Sequence, residues 1–341
     1  MYLQSPNFVF TVPSVYDGIQ LDCRIHLPRG LQQSGNAPRW KKQGAIIAHP
    51  YAPLGGCCDD PVVSFVGGEL LQGGYVVGTF NFRCVPSSFY GVPWNKLISW
   101  FRGTGESDGR TSWTARPELG DYVSFYVFML HYLSFLGLEA DSESGSEEIH
   151  LILGGYSFGS LIASHLPAVD VIVDLFRNTS GSTTLGAIRQ IAREVSALTE
   201  EQFSAQAQPP SASPEDNTEN TPRPKVSYLL VSPLLPPISL FLTLFSKFSL
   251  GVGMETSAGG QQIPCPKPAD QLRTYRTLVI YGNEDPFTPA SKVRNWSAEI
   301  ERVPGSRFES HEIDGAGHFW REDGVEAEAR RVLREWIGRI P

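Results

Sequence analysis

Basic side chains are in the minority in this chain: 28 Lys and Arg stand against 36 Asp and Glu, a formal net charge of −8. Without a long basic block there is no footprint for nucleic-acid phosphates, and no nucleic-acid partner is expected. Cysteine is scarce and odd in number, at Cys23, Cys57, Cys58, Cys84 and Cys265, with no C-x-x-C pair. That argues against a disulfide framework or a thiolate zinc site and fits a reducing compartment. Adjacent Cys57 and Cys58 read as small packing residues rather than a redox pair. The seven His include no H-E-x-x-H, so neither a metal nor another cofactor is expected.

Long apolar runs are missing as well. The most lipophilic stretch, Val231 to Phe245, holds three prolines and is followed by Lys247. It is too short and broken to span a bilayer, and no stable membrane anchor is expected. The opening MYLQSPNFVFTVPS lacks both the basic start and the continuous apolar core of a signal peptide. The sequons at Asn178 and Asn295 then carry little weight, and the expected location is the cytoplasm. The 33 Gly show no triplet period and apolar residues make up 41%, which excludes collagen-like and wholly disordered chains.

What is present is a set of short runs rich in Val, Ile, Leu and Tyr. They are Phe8 to Val12, Ile19 to Leu27, Ala45 to Ala48, Tyr75 to Phe82, Ile149 to Leu153, Val226 to Val231 and Thr277 to Tyr281. Their lack of clean alternation suits strands buried on both faces of a mainly parallel sheet. Helix candidates lie between them at Glu118 to Phe135, Ser160 to His165 and Val325 to Ile340. In the last, Val325, Ala329, Val332, Leu333 and Trp336 form one apolar face. The expected class is α/β, one domain over 1–341. Thr199 to Pro224, heavy in Pro, Ser and Glu, is expected to be disordered.

Three signals carry chemistry. Gly155-Tyr156-Ser157-Phe158-Gly159 follows the apolar run IHLILG and precedes the helix-like SLIASHL. A serine on a sharp strand-to-helix turn stands above the sheet, and small flanking residues permit the tight approach. Such a string arises readily by chance in a chain rich in Gly and Ser; its context gives it weight. The backbone N–H of Phe158 and the helix N-terminus would face a developing oxyanion. Next, a buried-type strand ends in Gly282-Asn283-Glu284-Asp285-Pro286, where Asp285 is the candidate carboxylate and Glu284 its competitor. Both could instead cap the following segment. Last, Gly315-Ala316-Gly317-His318-Phe319 places a histidine in a glycine-rich loop after the strand-like ESHEID. The order Ser157, Asp285, His318 is that of the α/β-hydrolase arrangement. His318 would take the Ser157 proton, Asp285 would hold the imidazole, and Ser157 would form an acyl-enzyme.

With these residues the chain resembles the α/β-hydrolase superfamily, and within it the small intracellular hydrolases of bacteria and fungi. These carry a His-Pro-x-Pro-x-x-Gly-Gly loop, an Asn-Phe-Arg-Gly turn and a Gly-Ala-x-His-Phe ending. The matching stretches are His49 to Gly56, Asn81-Phe82-Arg83 and Gly315 to Phe319, over roughly Phe8 to Ile340. In the first, the second Pro falls one place late. The resemblance implies a mostly parallel α/β-hydrolase sheet flanked by helices, with a small cap or lid in 165–226 built from Val169 to Phe176 and Leu185 to Leu198. It also implies that the Tyr51 N–H joins that of Phe158 as an oxyanion donor. The bland reading of His49 and Pro50 is a rigid turn ending a strand.

One departure stands out: Arg83 is followed by Cys84 rather than Gly. Removing Cys84 to Arg102 joins Asn81-Phe82-Arg83 to Gly103-Thr104-Gly105-Glu106-Ser107 and restores the pattern. The segment 84–102 reads as an atypical insertion, either a translated intron or a true loop beside the site. Transcripts that uniformly encode it would defeat the intron reading.

The function expected is a cofactor-free serine hydrolase acting on an ester, thioester or amide of a small, largely apolar molecule. By analogy it could belong to fungal specialised metabolism. The alternatives are a non-catalytic binding protein on the same fold, or an acyltransferase or lyase with the same three residues. The patch Leu234, Leu235, Ile238, Leu240, Phe241, Leu242, Leu244 and Phe245 would be core, an acyl pocket or a lipid-facing surface.

Overall fold

The short apolar runs form an eight-stranded sheet in a computed structural model of the chain, which describes residues 1–32, 40–83, 107–112, 114–136, 148–177, 183–204, 223–242, 249–252 and 261–340. In chain order its strands are β1 (Phe8–Pro13), β2 (Gln20–His26), β3 (Gln43–Ala48), β4 (Val76–Phe80), β5 (His150–Tyr156) and β6 (Lys225–Val231). A separate antiparallel pair, β7 (Ser249–Val252) and β8 (Gln261–Pro264), precedes the last two sheet strands, β9 (Arg276–Gly282) and β10 (Phe308–Ile313). The sheet order is β1-β2-β4-β3-β5-β6-β9-β10. Strand β2 runs antiparallel to both its neighbours, and every pair from β4 to β10 is parallel. All seven strand expectations are met.

Successive residues of the central strands face two different cores, which is why their sequences do not alternate. Ala45, Ile47 and Ile152 face the layer of α1 (Pro61–Gln72), whereas Ile46, Ala48, Leu151 and Leu153 face that of α2 (Arg116–Phe135). Along the chain after α2 come α3 (Phe158–Ser164), α4 (Val169–Arg177), α5 (Thr183–Ser204), α6 (Ile238–Leu242), α7 (Pro268–Thr274), α8 (Ala290–Glu301) and α9 (Val325–Gly338). Helix α9 shares the layer of α1 and uses the expected face, Val325, Ala329, Val332, Leu333 and Trp336. Among the described residues, no single helix is long and apolar enough to cross a membrane.

Helix α1 escapes the sequence reading because Gly67 and Gly68 sit in its interior. A Cβ on Gly68 would stand 1.9 Å from the Met1 carbonyl oxygen, and one on Gly67 2.7 Å from Leu3. The two glycines admit the first residues of the chain against the helix. Helix α5 corrects a second expectation: it runs through Ser204, into the stretch from Thr199 read as disordered. Thr199 is buried there, paired with the Tyr132 hydroxyl at 2.9 Å. Leu185, Ile188, Ala192 and Val195 are buried too. Helices α4 and α5 thus pack on the flank beside α2; residues 205–222 of the expected cap lie outside the described residues.

The expected insertion, 84–102, also lies outside the described residues, but its flanks do not. The Ser107 hydroxyl donates to the Asn81 carbonyl at 2.7 Å and accepts from the Asp22 N–H at 2.8 Å. Thr111 Oγ1 donates to the Arg83 carbonyl at 3.1 Å. Residues 103–106 are enough chain to join Arg83 to Ser107. A variant lacking 84–102 is therefore expected to melt at an unchanged temperature. A fall of more than ~5 °C, roughly 2 kcal/mol, would make the segment part of the fold.

Burial also fixes the acid response. His26, His49 and His131 are buried, and desolvation pulls their pKa values down to about 4, about 4 and about 3. Unfolded, each takes up a proton near pH 6.5. Between those values the unfolded chain binds more protons, so stability rises with pH across the window and is lost as pH falls through it. The cost is at most on the order of 3 kcal/mol per histidine by pH 4. The melting temperature is expected to start falling near pH 6.5, roughly two units above the carboxylates. A melting temperature flat from pH 6.5 to 5 would contradict this.

Candidate active site

Strand β5 ends at Tyr156, and the chain turns at once into α3. At the turn Ser157 has φ 55° and ψ −114°, a conformation unfavourable for any residue with a Cβ. The surroundings hold it. The Ser157 N–H donates to the Val231 carbonyl at 2.9 Å, and the Ser157 carbonyl accepts from the Leu161 N–H at 3.1 Å and the Ser160 hydroxyl at 2.6 Å. Both glycines of the pentapeptide are demanded by close approach. A Cβ on Gly155 would lie 2.3 Å from the Gly159 carbonyl carbon, and one on Gly159 2.3 Å from the Ala48 oxygen.

The structure brings Asp285 and His318 to this serine. The Ser157 hydroxyl donates to His318 Nε2 at 2.9 Å, and His318 Nδ1–H donates to Asp285 Oδ2 at 2.7 Å. This direction follows from Asp285, a carboxylate that only accepts. Its other oxygen, Oδ1, takes the N–H groups of Phe287 at 2.8 Å and Thr288 at 3.2 Å, so the turn after β9 fixes the carboxylate. All three side chains are buried. The competitor Glu284 points into solvent, its N–H tied to the Ala316 carbonyl at 3.0 Å. Of the two neighbouring carboxylates, the structure brings Asp285 to His318 and leaves Glu284 exposed.

Strand β3 lies beside β5, with Ala48 opposite Gly155, so the loop after β3 arrives next to Ser157. The chain leaves β3 for β4 on one side and β5 lies on the other, which opens the crevice where open α/β sheets bind ligands. In this loop the Tyr51 ring packs edge-on against Phe158, centroids 5.1 Å apart. Phe158 is the first residue of α3, so its N–H has no intrahelical acceptor. Among the described residues, the Tyr51 N–H has no hydrogen-bond partner. The Asn81-Phe82-Arg83 turn clamps the loop from below. Asn81 Oδ1 accepts from the Cys58 N–H at 2.8 Å, and the Phe82 N–H donates to His49 Nε2 at 2.9 Å. Arg83 is buried against Asp121 at 2.6 Å and Asp17 at 2.8 Å. Cys57 and Cys58 are buried free thiols, and desolvation pushes Cys58 up to about 12, so neither is a thiolate.

Several participants carry no signal in the sequence. The Tyr156 hydroxyl donates to the His318 carbonyl at 2.7 Å, tying the nucleophile strand to the histidine loop. Trp320 Nε1–H donates to the Ser232 hydroxyl at 3.0 Å, tying the same loop to the end of β6. Ser232 and Trp320, at φ 46° and 56°, join Ser157 as positive-φ residues at this end of the sheet. Two aromatic rings flank the histidine: Phe287 and Phe319 lie 4.5 and 5.5 Å from His318 between ring centroids, and Phe319 is 55% exposed. Leu54, in the loop after β3, and Leu240, on α6, are exposed as well. Of the expected apolar patch, Leu234 is buried, and Leu235 and Ile238 pack against the core. The Leu235 N–H reaches Thr288 Oγ1 at 3.4 Å, which sets the patch beside the Asp285 turn; the side chains from Phe241 on lie outside the described residues.

No family model and no curated protein matches this sequence. Solved structures do match. An α/β serine hydrolase homologue from Coxiella burnetii superposes with a TM-score of 0.50 at 18% identity, over 97% of this chain and 98% of the other. A protein of unknown function from Agrobacterium tumefaciens, described as a candidate α/β hydrolase, gives 0.51 at 17% identity, over 98% and 95%. Taken with the strand order and the two helical layers, this likeness gives the chain the α/β-hydrolase fold.

Proposed function

We propose that the protein is a serine hydrolase that cleaves an ester, thioester or amide of a small, largely apolar molecule through an acyl-enzyme, without a cofactor. The observation that carries this is the buried run Ser157–His318–Asp285, with hydrogen bonds of 2.9 and 2.7 Å on a strained turn. His318 Nε2 takes the hydroxyl proton as Ser157 Oγ attacks the carbonyl carbon, and Asp285 holds the proton on Nδ1 and stabilises the imidazolium. The carbonyl oxygen becomes an oxyanion facing the N–H groups of Phe158 and Tyr51. Collapse expels the leaving group, which receives the proton from His318. Water, deprotonated by the same nitrogen, then releases the acid and restores Ser157.

The substrate class rests on the rim. Phe287 and Phe319 offer apolar surface beside His318, and the Arg321 guanidinium stands over the Phe319 ring, 5.5 Å from its centroid. The free, buried thiols of Cys23, Cys57 and Cys58 support a cytoplasmic site of action. A series of p-nitrophenyl esters from acetate to decanoate tests the reading. We expect kcat/KM to rise with acyl length over the first members, with the free acid as main product even when a primary alcohol is added. No turnover of any ester would overturn the hydrolase. An acyl-alcohol product in excess would turn it into a transferase.

A further inference from the structure

The His49 imidazole joins two backbone groups that are far apart in the sequence, one after β3 and one after its neighbour β4. Phe82 N–H donates to Nε2 at 2.9 Å; an N–H can only donate, so Nε2 carries no proton. The ring is buried, and desolvation brings its pKa down to about 4, so it is neutral near pH 7 and its one proton sits on Nδ1. That proton is donated to the Pro50 carbonyl oxygen at 2.6 Å. The oxygen belongs to the peptide group whose other end is the Tyr51 N–H. A trans peptide is planar, with its C=O and N–H pointing in opposite directions. Whatever fixes one therefore aims the other.

We propose that His49 is a positioning residue that holds the Pro50–Tyr51 peptide with its N–H turned toward Ser157, and so sets one of the two oxyanion donors. The inference rests on the hydrolase reading above. Two neighbours support it. The ring is braced edge-on against Phe82, centroids 5.0 Å apart, so its anchor is the turn that follows β4. Gly56 packs against the same carbonyl from another side, where a Cβ would stand 2.2 Å from the Pro50 oxygen. The peptide is pinned by a hydrogen bond and by a close backbone contact. A hydrogen bond to the carbonyl also polarises the shared amide and strengthens its N–H as a donor.

The test is a double-mutant cycle. Tyr51 has φ −61°, the value proline adopts, so Tyr51→Pro removes the N–H with little change of path. It is expected to lower kcat about 10²-fold, the loss of one oxyanion donor. His49→Gln keeps an acceptor for Phe82 but carries its amide N–H one bond beyond the Nδ1 position that serves Pro50, and is expected to lower kcat by about tenfold or more with KM little changed. His49→Asn places an N–H near the Nδ1 position and is expected to recover most of that loss. In the Tyr51→Pro background, His49→Gln is expected to have no further effect on kcat. Gly56→Ala, which presses on the carbonyl without touching the ring, is expected to behave in the same non-additive way, and serves if the His49 variants do not fold.

Losses that multiply in the double variant would overturn the proposal, as would Asn and Gln variants that lose kcat equally and in step with their melting temperatures. A wild-type protein that turns over no ester would fail earlier, and would bring down the hydrolase reading together with this one.

Discussion

Replacing Ser157 by Ala is expected to lower kcat for acyl-ester hydrolysis by roughly 10⁶-fold, the scale seen when a triad nucleophile is removed. The melting temperature is expected to stay within a few degrees, because the strained turn is held by the Ser157 backbone and not by its hydroxyl. The partners grade the effect. Asp285→Asn is expected to cost about 10⁴-fold, since an amide at that place favours the wrong tautomer of His318. Glu284→Gln, one residue away and exposed, is expected to change nothing. Steady-state kinetics on one ester with each purified variant checks the series. Turnover retained by Ser157→Ala, or a loss in Glu284→Gln equal to that in Asp285→Asn, would contradict the assignment.

Gly159→Ala is expected to cost both stability and turnover. Its Cβ would lie 2.3 Å from the Ala48 oxygen, 2.6 Å from the Ala48 carbonyl carbon and 2.7 Å from the His49 oxygen. All three are backbone atoms at the end of a central strand, so no rotamer change can relieve the contact. Helix α3 would have to move off β3, carrying the Ser157 turn and the Phe158 N–H away from the Tyr51 loop. The expected stability loss is about 3 kcal/mol or more, with kcat lost beyond what the melting temperature explains. Gly338→Ala, at the end of α9 with nothing within 4 Å, is the matched control and is expected to be neutral. A Gly159→Ala protein with wild-type melting and turnover would show that the turn does not need this approach.

Local features of the site were legible and long-range ones were not. Ser157 announces itself because a glycine two residues away on each side is a local signature of a forced backbone. His318 and Asp285 could be found from their place after strand-like runs, yet Asp285 and Glu284 are chemically alike, and what separates them is the burial of Asp285 against His318 and the Phe287 and Thr288 N–H groups. The Tyr156–His318 and Trp320–Ser232 bonds join residues 162 and 88 positions apart, and one sequence holds no trace of such pairings. The same holds for His49. Its neighbour Pro50 was visible, but the bond that sorts its two nitrogens comes from Phe82, after the neighbouring strand β4.

In the fold, buried strands were easy because apolar runs are short and continuous. Helix α1 was hidden by glycines that a tertiary contact requires, and the polar end of α5 resembled the stretch that follows it. Composition reports the average cost of ordering a segment. It cannot report that Thr199 finds a buried partner on α2.

The most direct test is to treat the purified full chain with a fluorophosphonate, weigh the intact protein and map the modified peptide. A reactive serine hydrogen-bonded to an imidazole should take one phosphonyl group per chain, on Ser157, and His318→Ala should abolish the adduct. An unlabelled wild-type protein, or an adduct on any residue other than Ser157, would contradict the proposal that this site is a serine nucleophile with its base.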